Sequence, residues 1–253
     1  MIGVSSTMFC SSGVEDLLEK ISKEFKLWEI LSEGEHYLPH IMRRLEAVAP
    51  SYDTRFQIHA PISDVNLGAL NERMRESSAM EMIAAMENAI ELDAKTITIH
   101  PGLSSFVIPG LEKRTIENAK RSIRTIDRLT REFGVTACLE NMPSFKFMIG
   151  RTAEELAYLV DGTEMKICFD IGHANTMNQT DEIIDLLGDR IRNVHIHDNN
   201  GENDDHMTIG DGNIEFKPIL KRLSKYKGNH IIESRSLASA VVSRERLKGL
   251  LTF

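Results

Sequence analysis

Two hydrophobic rhythms alternate along the whole chain. Short runs dominated by β-branched and aliphatic residues read as eight strands: "IGVSST" from residue 2, "FKLWEIL" from 25, "RFQIHA" from 55, "KTITIHP" from 95, "TACLEN" from 136, "MKICFDIGH" from 165, "RNVHIHDN" from 192 and "HIIES" from 230. After each run comes a longer stretch with apolar residues at helical spacing, which predicts helices over 14–24, 37–48, 69–92, 111–133, 152–160, 180–188, 216–226 and 239–251. Asn71 and Thr152 are N-cap residue types, and "AEEL" after Thr152 fits a capping box. Met74, Met80, Met82 and Met86 read as packing residues of the third helix, because Met is a flexible filler of irregular gaps. Trp28, inside the second strand, is expected to pack against the sheet.

Eight strand–helix units in 253 residues have the size and rhythm of an α/β protein of the (β/α)8 TIM-barrel type, as one domain spanning 1–253. A doubly wound nucleotide-binding sheet is disfavoured, because "SSTMFCSSG" after the first strand has no GxGxxG and no Walker sequence occurs. The longest irregular stretch is 197–215.

Composition narrows the setting. The chain is 42% hydrophobic and 27% charged, which is ordinary for a globular protein. Its three cysteines, Cys10, Cys138 and Cys168, are widely spaced with no CxxC, which argues against a disulfide framework or a zinc ribbon and fits a reducing cytoplasm. The first residues lack the basic and apolar regions of a signal peptide, and no window approaches the about 18 apolar residues of a membrane helix. A soluble cytoplasmic protein with no membrane partner is expected. The formal charge of −8 gives no general attraction for a phosphate backbone, although bound cations would reverse the local sign around a carboxylate-rich site.

Candidate chemistry collects at the strand ends, the face on which TIM barrels build their active sites. The third strand ends at His59, the fourth at His100, the fifth at Glu140, the sixth at Asp170 with His173, the seventh at His195 with His197 and Asp198, and the eighth at Glu233. The loop after the seventh strand adds Asp204 and His206. So many imidazoles and carboxylates at one barrel mouth would be costly to bury without cations. Mixed nitrogen and oxygen ligands without thiolate point to zinc or manganese and leave the choice between them open. Cys138 and Cys168 stand two residues before a ligand, on the same face and one layer deeper, where they read as small core side chains.

"HAPISDVNLG", "HPG", "LEN", "CFDIGHAN", "HIHDNNGENDDHMTIGDGNIEF" and "IIES", in that order over nearly the whole chain, resemble the xylose isomerase-like TIM barrels. That superfamily holds sugar isomerases and epimerases and also the endonuclease IV enzymes. In the endonuclease IV branch three zinc ions are held by nine residues, and the resemblance implies that role for His59, His100, Glu140, Asp170, His173, His195, Asp204, His206 and Glu233. In the isomerase branch one metal is held by the matches of Glu140, Asp170, His195 and Glu233, and the two glutamates also move protons. The chain departs from endonuclease IV at three places. Ile62 stands where those enzymes carry a Tyr used against DNA, Asp170-Ile171-Gly172-His173 replaces Asp-Thr-Cys-His, and His195-Ile196-His197-Asp198 replaces His-x-Asn-Asp. The loop from there to Asp204 is also shorter than theirs, whereas "HIHDNNGENDDHMTIGDGNIEF" looks much like sequences grouped as sugar phosphate isomerases or epimerases.

The leading expectation is therefore a metal-dependent isomerase or epimerase of a small sugar or sugar phosphate. Glu140 and Glu233 would be its catalytic pair, His173 and His197 would face the substrate, and one to three zinc or manganese ions would sit at the mouth. The alternative is a multi-zinc, endonuclease IV-like phosphodiesterase with DNA as partner, and a smaller share goes to a metal-binding protein without catalysis. Glu233→Gln should leave the fold intact and lower turnover by about two orders of magnitude or more, because an amide is a poorer ligand and cannot act as a base. Glu215→Gln, at a carboxylate read as solvated, should change turnover little; steady-state assays of the two variants check both statements.

Overall fold

The computed structural model describes residues 1–104 and 108–252. Eight strands close into a barrel: β1 Ile2–Ser5, β2 Leu27–Leu31, β3 Arg55–His59, β4 Thr96–Ile99, β5 Thr136–Glu140, β6 Lys166–Asp170, β7 Ile191–Ile196 and β8 Asn229–Ile232. Neighbours are parallel throughout, and β1 closes the ring on β8 with Val4 opposite Ile232. Among the described residues nine helices surround it: α1 Val14–Glu24, α2 Leu38–Val48, α3 Glu72–Glu91, α4 Glu112–Phe133, α5 Ala153–Val160, α6 Ile171–Met177, α7 Thr180–Leu187, α8 Phe216–Arg222 and α9 Leu237–Leu250. No described helix is long and apolar enough to cross a membrane.

Strand side chains alternate between the two faces of the barrel wall. The outward set, including Val4, Trp28, Ile30, Ile58, Ile97, Leu139, Phe169, Val194 and Ile232, joins the helices in one hydrophobic core. Trp28 lies fully buried in that layer, edge-on to His36 at 5.5 Å. The inward set is different. TIM-barrel interiors are usually packed with branched aliphatic side chains, yet here Glu29, Gln57, Thr98, Asn193 and His195 fill the middle, alongside Cys138 and Cys168. At the lower end a Cβ on Gly3 would stand 2.8 Å from Leu27 Cγ and 2.9 Å from Ile231 Cδ1, so those two side chains meet where Gly3 leaves room.

Side-chain caps open four of the nine helices among the described residues. The Asn71 side chain accepts the backbone N–H of Arg73 and Met74 at 3.1 and 3.4 Å, opening α3. Thr152 opens α5 by accepting from Glu155 N at 3.2 Å, but no capping box forms, because the Glu155 carboxylate turns to the N–H groups of Gly150 and Arg151 instead. The methionine face is split: Met82 and Met86 are buried as expected, whereas Met74 and Met80 are 54% and 61% exposed on the solvent side of α3. The sixth strand is shorter than its apolar run, since the Asp170 carboxylate accepts the N–H of His173 at 2.7 Å and turns the chain into the extra helix α6.

Gly3→Ala should destabilise the protein by about 1–3 kcal/mol through overpacking of the barrel floor. Thermal unfolding of the variant beside the parent checks it, and an unchanged Tm would contradict the packing described here.

Candidate active site at the barrel mouth

Each of β3 to β8 delivers a titratable side chain to one volume at its C-terminal end. His59, Glu140 and Asp170 close β3, β5 and β6, His195 is the penultimate residue of β7, and His100 and Glu233 follow β4 and β8 directly. His173 comes from the first turn of α6, and His197 is the first residue past β7. Asp204 and His206 descend from the 197–215 loop. All are buried except that the side chains of His100 and Asp204 keep 22% and 16% exposure. All nine metal candidates, and His197 with them, therefore stand in one continuous set.

The set has three overlapping parts. Glu140 Oε2 lies 3.2 Å from His59 Nε2 and 3.0 Å from His100 Nε2. Its other oxygen, Oε1, is 2.9 Å from His195 Nδ1, which also has Glu233 Oε1 at 3.3 Å and Asp170 Oδ2 at 3.9 Å. Asp204 centres the third part, with His173 Nε2, His197 Nε2 and His206 Nε2 at 3.2, 3.2 and 3.3 Å from its oxygens.

Following the protons shows what such a set needs. The Nδ1 of His59 reaches the Ala60 carbonyl at 2.8 Å, and the Nδ1 of His173 reaches the Asn141 carbonyl at 2.8 Å. A carbonyl only accepts, so both Nδ1 atoms carry hydrogen, and in a neutral ring Nε2 is then a bare lone pair. That lone pair faces a carboxylate oxygen in each case. His195 repeats the arrangement in the other sense: Nε2 meets Glu29 Oε1 at 2.9 Å, leaving Nδ1 turned towards Glu140 and Glu233. Two acceptors facing each other need a cation between them. Asp170 Oδ2, His197 Nε2, Asp204 Oδ1 and His206 Nδ1 are buried without any hydrogen-bond partner. The donor set and its orphaned atoms fit divalent ions, with supporting carbonyl or carboxylate partners behind His59, His173 and His195.

Without metal, protons take that place. Burial pushes the Asp170 carboxyl up, but His173 and His197 beside it prevail and hold it at about 2. Burial opposes charge on His197 as well, yet Asp170 and Asp204 raise that ring to about 9. His173 and His195 are raised well above the ordinary imidazole range against burial, by Asp170 and Asp204 at one and by Glu29, Glu140 and Glu233 at the other. Glu140 ends well below the carboxylate range despite its burial, chiefly through His195. Of the two rings on its Oε2, burial wins at His100, which is lowered, while Glu140 and Glu29 outweigh it at His59. Burial keeps both deep thiols protonated, Cys138 at about 12 and Cys168 well above its usual value.

Several functional neighbours escaped the sequence. Glu29, fully buried, accepts from Gln57 Nε2 at 2.6 Å and from Asn193 Nδ2 at 3.1 Å besides meeting His195. A lone Glu inside "LWEIL", a strand destined for burial on both faces, was the available signal. Thr7, past the first strand, donates its hydroxyl to Glu233 Oε1 at 3.0 Å. Asn141 ties the ends of β5 and β6 together, its amide bonding the Asp170 N–H and carbonyl at 2.8 Å each. Asp198 turns away from the ligand set. Its buried carboxylate accepts the N–H groups of Asn199, Gly210, Gly212 and Ile214 at 2.8 to 3.2 Å, and this knot holds the loop that carries Asp204 and His206.

Paired carboxylates around an imidazole, inside a cation-demanding pocket, are equipped for metal-assisted proton transfer or for hydrolysis. Known proteins similar to this chain span both chemistries. An uncharacterized protein of Methanocaldococcus jannaschii is 37% identical over 98% of this chain and 88% of its own. A probable endonuclease 4 of Geobacillus kaustophilus is 30% identical over 64% of this chain and 58% of its own. Among solved structures, a D-tagatose 3-epimerase-like protein superposes with a TM-score of 0.92 at 35% identity, covering 99% of this chain and 96% of that one. A D-psicose 3-epimerase, solved in the presence of D-fructose, shares the fold at a TM-score of 0.82 and 17% identity, over 99% of both chains. The family described as xylose isomerase-like TIM barrel matches residues 24–249, and with the closed eight-stranded barrel and its mouth in place, this chain belongs to that family.

Proposed function

We propose that the protein is a divalent-metal-dependent isomerase or epimerase of a small sugar or sugar phosphate, with Glu140 and Glu233 as its proton-transferring pair. The observation that carries this reading is the placement of the two carboxylates around one imidazole nitrogen, His195 Nδ1, at 2.9 and 3.3 Å. The 35% identity to a structure described as D-tagatose 3-epimerase-like supports it. Zinc or manganese held by Glu140, Asp170, His195 and Glu233 would supply Lewis acidity, stabilising negative charge on a substrate oxygen. One glutamate takes a proton from the carbon beside the substrate carbonyl, leaving an enediolate, and the other returns a proton to carbon. Thr7 fixes the Glu233 carboxylate through Oε1. Glu29 fixes His195, holding Nε2 so that Nδ1 stays turned to the mouth.

A second reading, an endonuclease IV-like phosphodiesterase acting on DNA, draws on all nine ligand positions gathering in one place and on the likeness to a probable endonuclease 4. One pair of assays separates the two. Protein loaded with zinc or manganese should carry solvent deuterium into carbon-bound positions of at least one sugar in a panel of ketoses and their phosphates. Absence of exchange across the whole panel, together with incision of an abasic duplex at catalytic protein concentration, would reverse the order of the readings.

The same site makes the metal-free protein depend on protons. His197 is raised to about 9, so its contribution to stability is complete below the ordinary imidazole range and is lost as pH rises through about 9. Chelator-treated protein should therefore lose about 5–10 °C of Tm between pH 6.5 and 9.5, on the order of 3 kcal/mol for that ring. Zinc-loaded protein should hold its Tm over the same interval; parallel thermal melts measure both.

A further inference from the structure

Two departures from the endonuclease IV pattern, Gly172 and His197, occupy one place in the structure. A Cβ built on Gly172 would fall onto the imidazole of His197, against Cε1, Nε2 and Nδ1. Only glycine at 172 leaves room for a ring at 197. The ring that fills the space is completely buried, so it presents no surface to a substrate. Its Nε2 points between Asp204 Oδ1 at 3.2 Å and Asp170 Oδ1 at 3.3 Å, and neither oxygen is aligned for a hydrogen bond. His206 stacks on it with ring centroids 4.3 Å apart and planes 14° from parallel.

We propose that His173, His197, Asp204 and His206 form a closed four-ligand metal site whose ion clamps the loop after β7 onto α6 and the barrel. The inference rests on the reading of the mouth as a divalent-metal site and adds to it a structural ion, with His197 on the metal side rather than the substrate side. The four ligand atoms lie within 4.8 Å of one another. From Asp204 Oδ2, His173 Nε2 and His206 Nε2 stand at 3.2 and 3.3 Å, matching the donor–donor edges, about 3.3 Å, of a tetrahedral zinc with bonds of about 2.0–2.1 Å, and His197 Nε2 lies 3.2 Å from the other Asp204 oxygen. Three imidazoles and a carboxylate leave a tetrahedral ion no open position, which is the mark of a structural rather than a catalytic site. The geometry of the supports agrees. His173 is locked by the Asn141 carbonyl, and His206 is held in the left-handed region at φ 47°, a strained setting for a non-glycine residue that aims its ring inward. Asp204 and His206 belong to the loop, whereas His173 and His197 belong to the barrel frame, so an ion shared among them ties one to the other.

The test is a zinc and cobalt(II) titration of chelator-treated protein, following bound equivalents by elemental analysis and the intense visible band of four-coordinate cobalt. His197→Asn should remove one zinc equivalent and the band while leaving the remaining equivalents bound. Loss of a residue that merely supports a ligand costs about 10–100-fold in affinity, so loss of the ligand itself should weaken this site by about 100-fold or more. Gly172→Ala should evict the ring and give the same metal loss. It should lower the metal-free Tm in the parent but barely change it in the His197→Asn background, because the two residues compete for one space. If the parent holds zinc and His197→Asn binds the same number of equivalents with the same affinity, the four-ligand site is wrong while the metal-site reading stands. If the parent binds no zinc at all, both fall together.

Discussion

Buried carboxylates that cannot stand without cations are the constraint on which this molecule is organised. Glu29, Glu140, Asp170 and Glu233 lie inside a barrel wall whose outer face is mainly apolar, and each is met by imidazole or amide nitrogen. An isolated ion there would be prohibitively unfavourable, so the charges persist only as a connected set. That explains why the barrel interior gives up its usual aliphatic filling. It also explains why Glu140 is central: one oxygen serves His59 and His100, the other serves His195, and no member of the set can change charge without the others responding.

The set is held by two kinds of scaffold. Strand ends fix Glu140, Asp170 and His195 with the stiffness of a hydrogen-bonded barrel, and Asn141 couples two of those strands directly. Asp204 and His206 instead ride on a loop whose shape comes from one buried carboxylate, Asp198, gathering four backbone N–H groups. Gly212 belongs to the same knot, since a Cβ there would strike the Asn199 carbonyl and the Asp198 side chain. Glu140 and Glu233 thus sit at the rigid strand ends, and the loop brings Asp204 and His206 to them from outside.

Much of this was legible in the sequence. Period and run length located all eight strands, because short β-branched and aliphatic runs alternate with helical stretches. The gathering of histidines and carboxylates followed because a barrel sends its strand ends to one mouth. What stayed hidden depended on tertiary placement. Nothing in the pattern around Glu29 says that the inner face of β2 is polar, and Asp198 looks like one more ligand until its carboxylate is seen facing the loop's own backbone. The helix α6 was absorbed into the sixth strand because "CFDIGH" is apolar enough to continue it, and the capping role of Asp170 overrides that run. Met74 and Met80 carry a hydrophobic letter without a packing partner, which periodicity alone does not reveal.

The lower end of the barrel differs from the mouth. Leu27 and Ile231 pack together where Gly3 leaves room, with Asn229 reaching Gln57 Oε1 at 3.0 Å beside them, so among the described residues no cluster of acids and imidazoles forms there and the titratable side chains face one end only. Under the proposed function, ions and substrate would both be taken up at that end, metal first and substrate over it. A bound substrate would then be a stopper on the metal. Occupancy of the site would be linked to use: an idle enzyme would expose its ions to exchange with the surroundings, and a working one would keep them in.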